Sequence, residues 1–547
     1  MSISTSNLFG VPSLIDVEVQ PESPDRFREL MSPERFAEFQ EASRRSAERL
    51  RGVTVWHVNS TARGGGVAEM LRSLLGYAAG AGVVVRWLVV QGEPEFFEVT
   101  KRVHNRLHGS AGDGGDLGPD AQAVYRRSLE GAGTDLAARV APGDAVVLHD
   151  PQTAGLVPDA GRLGAIAVWR CHVGTDVVDD LTEQAWTFLL PHLADADAYV
   201  FTRRQFAWRG LDPDRVHVIA PSIDAFSPKN RDLSEGAVRS ILSSSGVVPA
   251  AAPFVGGELA VSTRATMVED SPVPAGARLV AQVSRWDRLK DPVGVILGFA
   301  TEVVPASDAH LVVAGPSIES VADDPEGAEV LDQCIDVRAG LRAETRPLVH
   351  LACLPMDDAD QNALMVNALQ HHAEVVVQKS LAEGFGLTVA EAMWKARPVV
   401  ASRVGGIQDQ IEDGRTGLLV REPSDLAEFG ADVTALLGDR ARAKAMGRAA
   451  REAVRDGFLA PRHLVQYAEL LCALVESRRA GRAGSGDRVG RRRRGKRPPR
   501  PVRRRGGRRA ARAPRRSCPG GRERRARGAL VRRRHPPAPG GRRASSS

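Results

Sequence analysis

A chain of 547 residues with 43% apolar side chains is too long for one core and rich enough to fill two. Its net charge of +7 misleads: from Arg478 onward 28 basic residues face 2 acidic ones, leaving 46 basic against 65 acidic in the remainder. The body is therefore acidic, and nucleic-acid binding is not expected of it. No apolar run reaches membrane-spanning length, and Met1-Ser-Ile-Ser-Thr-Ser lacks the basic and apolar regions of a signal peptide. Cys171, Cys334, Cys353, Cys472 and Cys518 show no paired metal spacing and fit reduced cytoplasmic thiols.

Residues 1–50 read as an N-terminal extension with a helical pattern from Asp25 to Arg51, carried by Phe27, Leu30, Phe36 and Phe39. The first domain, 51–231, opens on the strand Thr54–Val58. That strand runs through Arg63 and Gly64-Gly65-Gly66 into an amphipathic helix. Such a turn brings backbone N–H groups to an anion or sugar, although tight turns also use glycine for geometry. It is not G-x-G-x-x-G, so a nicotinamide cofactor is not indicated. Further strands are expected at 83–90, 145–149, 166–170, 198–202 and 216–219, with 109–120 as a loop. Strands alternating with helices imply an α/β fold with a doubly wound parallel sheet. Polar residues recur at the strand ends, where such a sheet keeps its site: Asp150 and Gln152 after one strand, His172 after the next.

Residues 232–277 break this rhythm and read as an interdomain connection with an insertion. A second domain, 278–460, begins with the strand 278–283 and the basic loop Ser284-Arg285-Trp-Asp-Arg288-Leu-Lys290. Arginine forks and a lysine point charge just past a strand suit a diphosphate, against the plain alternative of a solvated basic turn. Glu374-Val-Val-Val-Gln378 reads as a buried strand. The loop Ser380-Leu-Ala-Glu383-Gly-Phe-Gly386 follows, then a helix over 388–395. Glu383 in that loop can accept hydrogen bonds from sugar hydroxyls. Glu391 has two readings: the closing member of a Thr388-Val-Ala-Glu391 capping box, or a carboxylate accepting two hydrogen bonds from a ribose. A final helix is expected over 461–477. The tail 478–547 is Arg, Gly, Pro and Ala almost throughout, and reads as a disordered extension or the product of a shifted reading frame.

Glu383-x7-Glu391, with Gln378-Lys-Ser before it and Val404-Gly-Gly-Ile407 after, resembles glycosyltransferase family 4, the retaining nucleotide-sugar enzymes of GT-B architecture. His57-Val-Asn-Ser-Thr, Gly66-Val-Ala-Glu-Met-Leu71, His149-Asp-Pro-Gln152, Trp169-Arg-Cys-His172 and Ser227-Pro-Lys-Asn230 are similar to its trehalose glycosyltransferring synthases. The resemblance covers about residues 25–477 as a pattern. It implies two Rossmann-like domains facing across a cleft. It also implies transfer of glucose from ADP-, UDP- or GDP-glucose to glucose, giving α,α-trehalose with retention and reversibly. A retaining trehalose phosphorylase and another hexosyltransferase of the family are the alternatives.

By the same resemblance Arg285 and Lys290 match the diphosphate pair, Glu383 the carboxylate at the donor sugar and Glu391 the ribose binder. Phe385, Gly386, Leu387 and Thr388 match the lining of sugar and phosphates. His172 matches the histidine at the reacting sugar, and Gly64, Gly65 and Gly66 the loop near phosphate and acceptor. Asp150 and Gln152 are weaker matches to acceptor contacts, and His104 is expected to pack or cap a helix. Ala382 departs from the family, where an arginine often stands. No D-x-D-like metal site is required, so no essential metal ion and no cofactor are expected beyond the nucleoside diphosphate glucose co-substrate. Small-molecule sugars are the expected partners, without membrane; oligomeric state stays open, a homodimer being one reading.

Overall fold

The computed structural model describes residues 13–62, 65–249, 259–318 and 325–493. The chain divides into two compact units, 1–486 and 487–547. Gly64 and the basic tail from 494 lie outside the described residues.

The first unit holds two seven-stranded sheets. The first comprises β1 (Leu14–Val17), β2 (Thr54–Asn59), β3 (Val84–Val90), β4 (Ala145–His149), β5 (Ile166–Cys171), β6 (Ala198–Phe201) and β7 (Val216–Val218), in the order β1-β3-β2-β4-β5-β6-β7. The second comprises β8 (Thr266–Val268), β9 (Leu279–Val283), β10 (His310–Pro316), β11 (Val349–Leu354), β12 (Val375–Gln378), β13 (Val399–Ser402) and β14 (Leu418–Val420), in the order β14-β13-β12-β9-β10-β11-β8. All pairings are parallel except β1 with β3 and β8 with β11. The central strands are buried on both faces, which is why they are continuous apolar runs rather than alternating ones.

In each sheet the order reverses once, at β2/β4 and at β9/β12. Connections leave such a point in opposite directions, and the strand ends there form a crevice. Across the space between the sheets, the segments after β2 and β5 meet the segment after β12, Gly66 lying against Leu387 and Gly384 against the His172 carbonyl. This is the GT-B architecture.

Four short elements differ from the sequence-based reading. β1 and β8 are edge strands of four and three residues, too short to show a period of two. The described parts of 232–277 pack into the second lobe: Val238, Ile241, Leu242 and Val273 share a core with Ala281, Val312 and Val376, while 250–258 lie outside the described residues. The pattern expected over 25–51 breaks at Ser32, which caps the helix Pro33–Arg49 by accepting from Arg35 N–H.

The last helix runs over Ala460–Arg493, beyond the expected end. It returns to the first lobe, where Leu470, Leu471 and Val475 bury against Val55, Val168 and Val200. Each such side chain contributes about 1.5–3 kcal/mol. Cys171, Cys334, Cys353 and Cys472 are buried thiols outside any disulfide. Among the described residues no helix is long and apolar enough to cross a membrane.

Candidate functional site

The loop after β12 carries Glu383, and the loop after β9 carries Arg285 and Lys290. Because β9 and β12 are hydrogen-bonded neighbours, the two loops meet. Lys290 Nζ donates to Glu383 Oε2 at 2.5 Å, and Ser380 Oγ to the same oxygen at 3.4 Å. Arg285 Nη2 donates to Asp287 Oδ2 at 2.8 Å, and its side chain is half exposed. Burial opposes ionisation of Asp287, but the charges of Arg285 and Lys290 outweigh it and hold the carboxyl below its usual range. Four charged groups of both signs, Lys290, Glu383, Arg285 and Asp287, thus share one small patch. An anion arriving there finds two cations already oriented by carboxylates.

Gly386 has φ +85°, left-handed backbone that a side chain strains, and it turns the chain into the helix Leu387–Trp394. Thr388 does not cap that helix; its Oγ1 donates to Gln378 Oε1 at 3.2 Å. The capping-box reading of Glu391 is therefore corrected: glycine at the cap position leaves no side chain to reciprocate. Glu391 lies on the buried face of the helix, and its Oε2 has no hydrogen-bond partner. Burial pushes its carboxyl pKa up, against the nearby charges of Lys229 and Lys395. Lys395 is in turn pushed down to about 7, chiefly by burial. Lys229 also binds Glu69 of the first lobe at 2.6 Å, so it stands between two carboxylates from different lobes.

Across the cleft the first lobe comes within contact of this loop. A methyl group on Gly384 would sit 2.5 Å from the carbonyl oxygen of His172, so only glycine permits this approach. Gly65 precedes the helix Gly66–Gly80, and a methyl on Gly66 would collide with Leu387. Phe385 is buried beside Phe458, with ring centroids 5.7 Å apart. Asp150 holds φ +64°, and its Oδ1 accepts from the His172 backbone N–H at 2.7 Å. Burial raises the Asp150 carboxyl to about 7. Gln152 lies two residues on, partly exposed in the short helix Asp150–Thr153. His172 is almost fully buried, and burial, together with the charge of Arg170, holds it well below the usual histidine range.

Two features go beyond the sequence-based reading, which gave His104 only a packing or capping role. His104 and His108 lie one turn apart at the end of the helix Pro94–Leu107, with ring centroids 5.1 Å apart. His108 Nδ1 is 3.1 Å from Gly174 O. A carbonyl only accepts, so Nδ1 carries the proton. Burial lowers His108 to about 4, and Lys290 pushes the same way while Glu383 opposes, which puts the ring electrically at the Lys290–Glu383 pair. Their i, i+4 spacing was the signal available in the sequence. The second feature is a latch between lobes. Arg203 Nη1 donates to Asp176 Oδ1 at 2.7 Å and to Gly405 O at 2.6 Å, while Gln408 Nε2 donates to Asp176 Oδ2 at 2.7 Å.

The family model "Trehalose synthase, N-terminal domain" matches residues 57–208, and "Glycosyl transferases group 1" matches residues 357–453. The chain is 36% identical over 451 residues to a trehalose synthase of Rubrobacter xylanophilus, covering 82% of this chain and 96% of that protein. It is 26% identical over 434 residues to a trehalose phosphorylase of Pleurotus pulmonarius, covering 75% of this chain and 55% of that one. Among solved structures, sucrose-phosphate synthase from Thermosynechococcus elongatus superposes with a TM-score of 0.54 at 18% identity, over 78% of this chain and all of that one, which speaks for the fold. With a full-length relative above 30% identity and two matching family models in place, the chain belongs to the trehalose synthase family of retaining GT4-type glycosyltransferases.

Proposed function

We propose that the enzyme transfers glucose from a nucleoside diphosphate glucose to the anomeric hydroxyl of a second glucose, forming α,α-trehalose with retention and reversibly. The observation that carries this reading is the meeting of Lys290, Arg285 and Glu383 in one patch, on a loop whose Gly384 lies against the backbone of His172 across the cleft. Arg285 and Lys290 bind the diphosphate and take up the charge that develops on it as the bond to the sugar anomeric carbon breaks. Cations placed in advance supply several kcal/mol of such stabilisation. Glu383, released from Lys290 by the arriving phosphate, accepts from the donor sugar hydroxyls. The backbone over Phe385, Gly386, Leu387 and Thr388 lines the sugar and phosphates.

The acceptor hydroxyl attacks from the face the diphosphate leaves. Its proton passes to the departing phosphate oxygen as the new C–O bond forms, so charge and atoms balance without a covalent intermediate. His172 holds a hydroxyl of the reacting sugar, and Gly65, Gly66, Asp150 and Gln152 surround the acceptor. The diphosphate charge is assigned to side chains here, so activity should persist in a chelator.

Similarity to a trehalose phosphorylase keeps a second reading alive, in which inorganic phosphate replaces the nucleotide. The buried Glu391, whose Oε2 has no hydrogen-bond partner, favours the synthase, because a ribose would bring hydroxyl donors to that oxygen and a phosphate would not. Glucose release from trehalose by purified protein, with ADP, UDP, GDP or phosphate offered separately, tests this. Glucose with nucleotide-glucose is expected; glucose 1-phosphate formed only with phosphate would overturn the synthase, and no turnover would withdraw trehalose.

A further inference from the structure

Three neighbouring strands of the first sheet bring histidines into one row. His57 lies in β2, His149 ends β4 and His172 follows β5. His57 Nδ1 is 3.0 Å from His149 Nε2, and His149 Nδ1 is 3.1 Å from His172 Nε2. The rings stack along the row, with centroids 5.3 and 5.4 Å apart. His57 and His172 are each 8% exposed, and His149 is 2% exposed.

We propose that His149, itself held by His57, is a positioning residue that selects the tautomer of His172 and so decides whether its remaining nitrogen, Nδ1, donates or accepts. This rests on the reading of His172 as the histidine at the reacting sugar.

The argument is a proton count. A neutral imidazole has one N–H and one bare nitrogen. Both nitrogens of His149 are engaged, so it donates in one bond and accepts in the other. If His149 Nε2–H donates to His57 Nδ1, then His149 Nδ1 must accept from His172 Nε2–H, and His172 Nδ1 is bare. If His57 Nδ1–H donates instead, both bonds reverse, and His172 Nδ1 carries the proton. Either way all three rings hold the same tautomer. Changing His172 requires every proton in the row to move, so a ring two bonds away has a say in it.

The surroundings keep the rings neutral. Burial lowers His57 to about 3 and holds His149 and His172 well below the usual range. Arg170 of β5 adds to this at His149 and His172. From the last helix His463 acts on His172, and Tyr467 lies against His57 with centroids 6.5 Å apart. Asp150, which binds the His172 backbone N–H, is the carboxyl on this side of the row. A hydroxyl of a bound sugar can meet either kind of nitrogen, but only one kind suits a given orientation. A fixed tautomer therefore pre-selects the orientation of the sugar. Where an imidazole is held in the wrong tautomer, turnover falls by orders of magnitude although the geometry is intact.

Selective 15N labelling of histidine in the full-length enzyme, without substrate, reads the tautomers directly, because bare and protonated ring nitrogens resonate far apart. All three rings sharing one tautomer is the expected result; a mixed set overturns the proposal. In His57→Phe, which keeps a ring in place, the His172 nitrogen signals should shift although residue 57 does not touch His172. In that variant kcat should fall by about tenfold or more, with KM for the nucleoside diphosphate glucose unchanged within twofold. His172 signals identical to wild type, or an unchanged kcat, would refute the role. Should wild-type enzyme fail to turn over trehalose at all, the proposed function falls, while the spectra still decide whether the row exists.

Discussion

Lys290 Nζ lies 2.5 Å from Glu383 Oε2, although 93 residues of sequence separate them. The pair joins the two loops of the second lobe that stand at its switch point. Because each partner holds the other, removing either affects both. Lys290→Met is expected to lower kcat by about 10²–10³-fold, the loss typical of one preorganised charge-stabilising donor. Glu383→Gln should raise KM for the sugar donor as well. The double variant should lose much less than the product of the two single losses, as groups acting as a unit do. Steady-state kinetics on the three variants provides the check, and full additivity would separate the two roles.

Glu391 carries a raised carboxyl in a fully buried place, balanced by Lys229 and Lys395. If a ribose binds there, Glu391→Gln should weaken nucleoside diphosphate by about tenfold or more, in line with about 1.5–3 kcal/mol for hydrogen bonds to a charged group. Inorganic phosphate should bind the variant as it binds wild type. Calorimetric titration distinguishes the two ligands, and equal weakening of both would point away from a ribose.

Asp150 gives the fold a pH dependence of known sign. Its carboxyl titrates near 3.8 when unfolded and near 7 when folded, because burial disfavours the charge. Between those values the native state holds a proton that the unfolded state has released. Stability contributed by this group is therefore full below pH 4 and is lost as pH rises through about 7, on the order of 1 kcal/mol per pH unit. Asp150→Asn keeps a residue that tolerates positive φ and has no charge to bury. Denaturant melts from pH 4 to 8 should show a flatter profile for the variant, and parallel profiles would refute the assignment.

Arg203 ties the lobes through Asp176, Gly405 and Asp409, with its side chain 7% exposed. Arg203→Met leaves Asp176 and Asp409 facing one another without the cation. Asp176 and Asp409 are 30% and 44% exposed, so solvent screens them and the loss should stay below the figure of about 3–5 kcal/mol for a fully buried pair. It should appear as a larger radius of gyration in solution scattering and a higher KM, with each sheet still folded by circular dichroism. An unchanged radius would show that the lobes close without this contact.

A chain ending at residue 486 should retain full turnover, since every residue of the candidate site lies in the first compact unit. Loss of activity at unchanged melting temperature would give the basic tail a part in catalysis.

The alternation of strands and helices and the doubly wound class were legible in the sequence, as were the strand-end loops that carry the proposed site residues. Buried parallel strands are continuous apolar runs, and site residues sit at their ends by the geometry of the fold. Glu383, Lys290 and His172 each stand in a local string, which is why the sequence alone could propose them. What was not legible is non-local. β8 is three residues long, and only its antiparallel pairing with β11 makes it a strand. By spacing Glu391 could be read as a helix cap or as a ribose binder. The backbone of Gly386, left-handed at φ +85°, moved the helix start and turned the carboxylate into the interior. His108 drew no notice until the helix it ends was packed beside the Lys290–Glu383 pair. The row His57–His149–His172 spans three strands whose order, β2-β4-β5, is a property of the sheet. Sequence determines what each short segment can do alone. Which segments share a buried space is decided by sheet order and packing between lobes, and those interactions act across hundreds of residues.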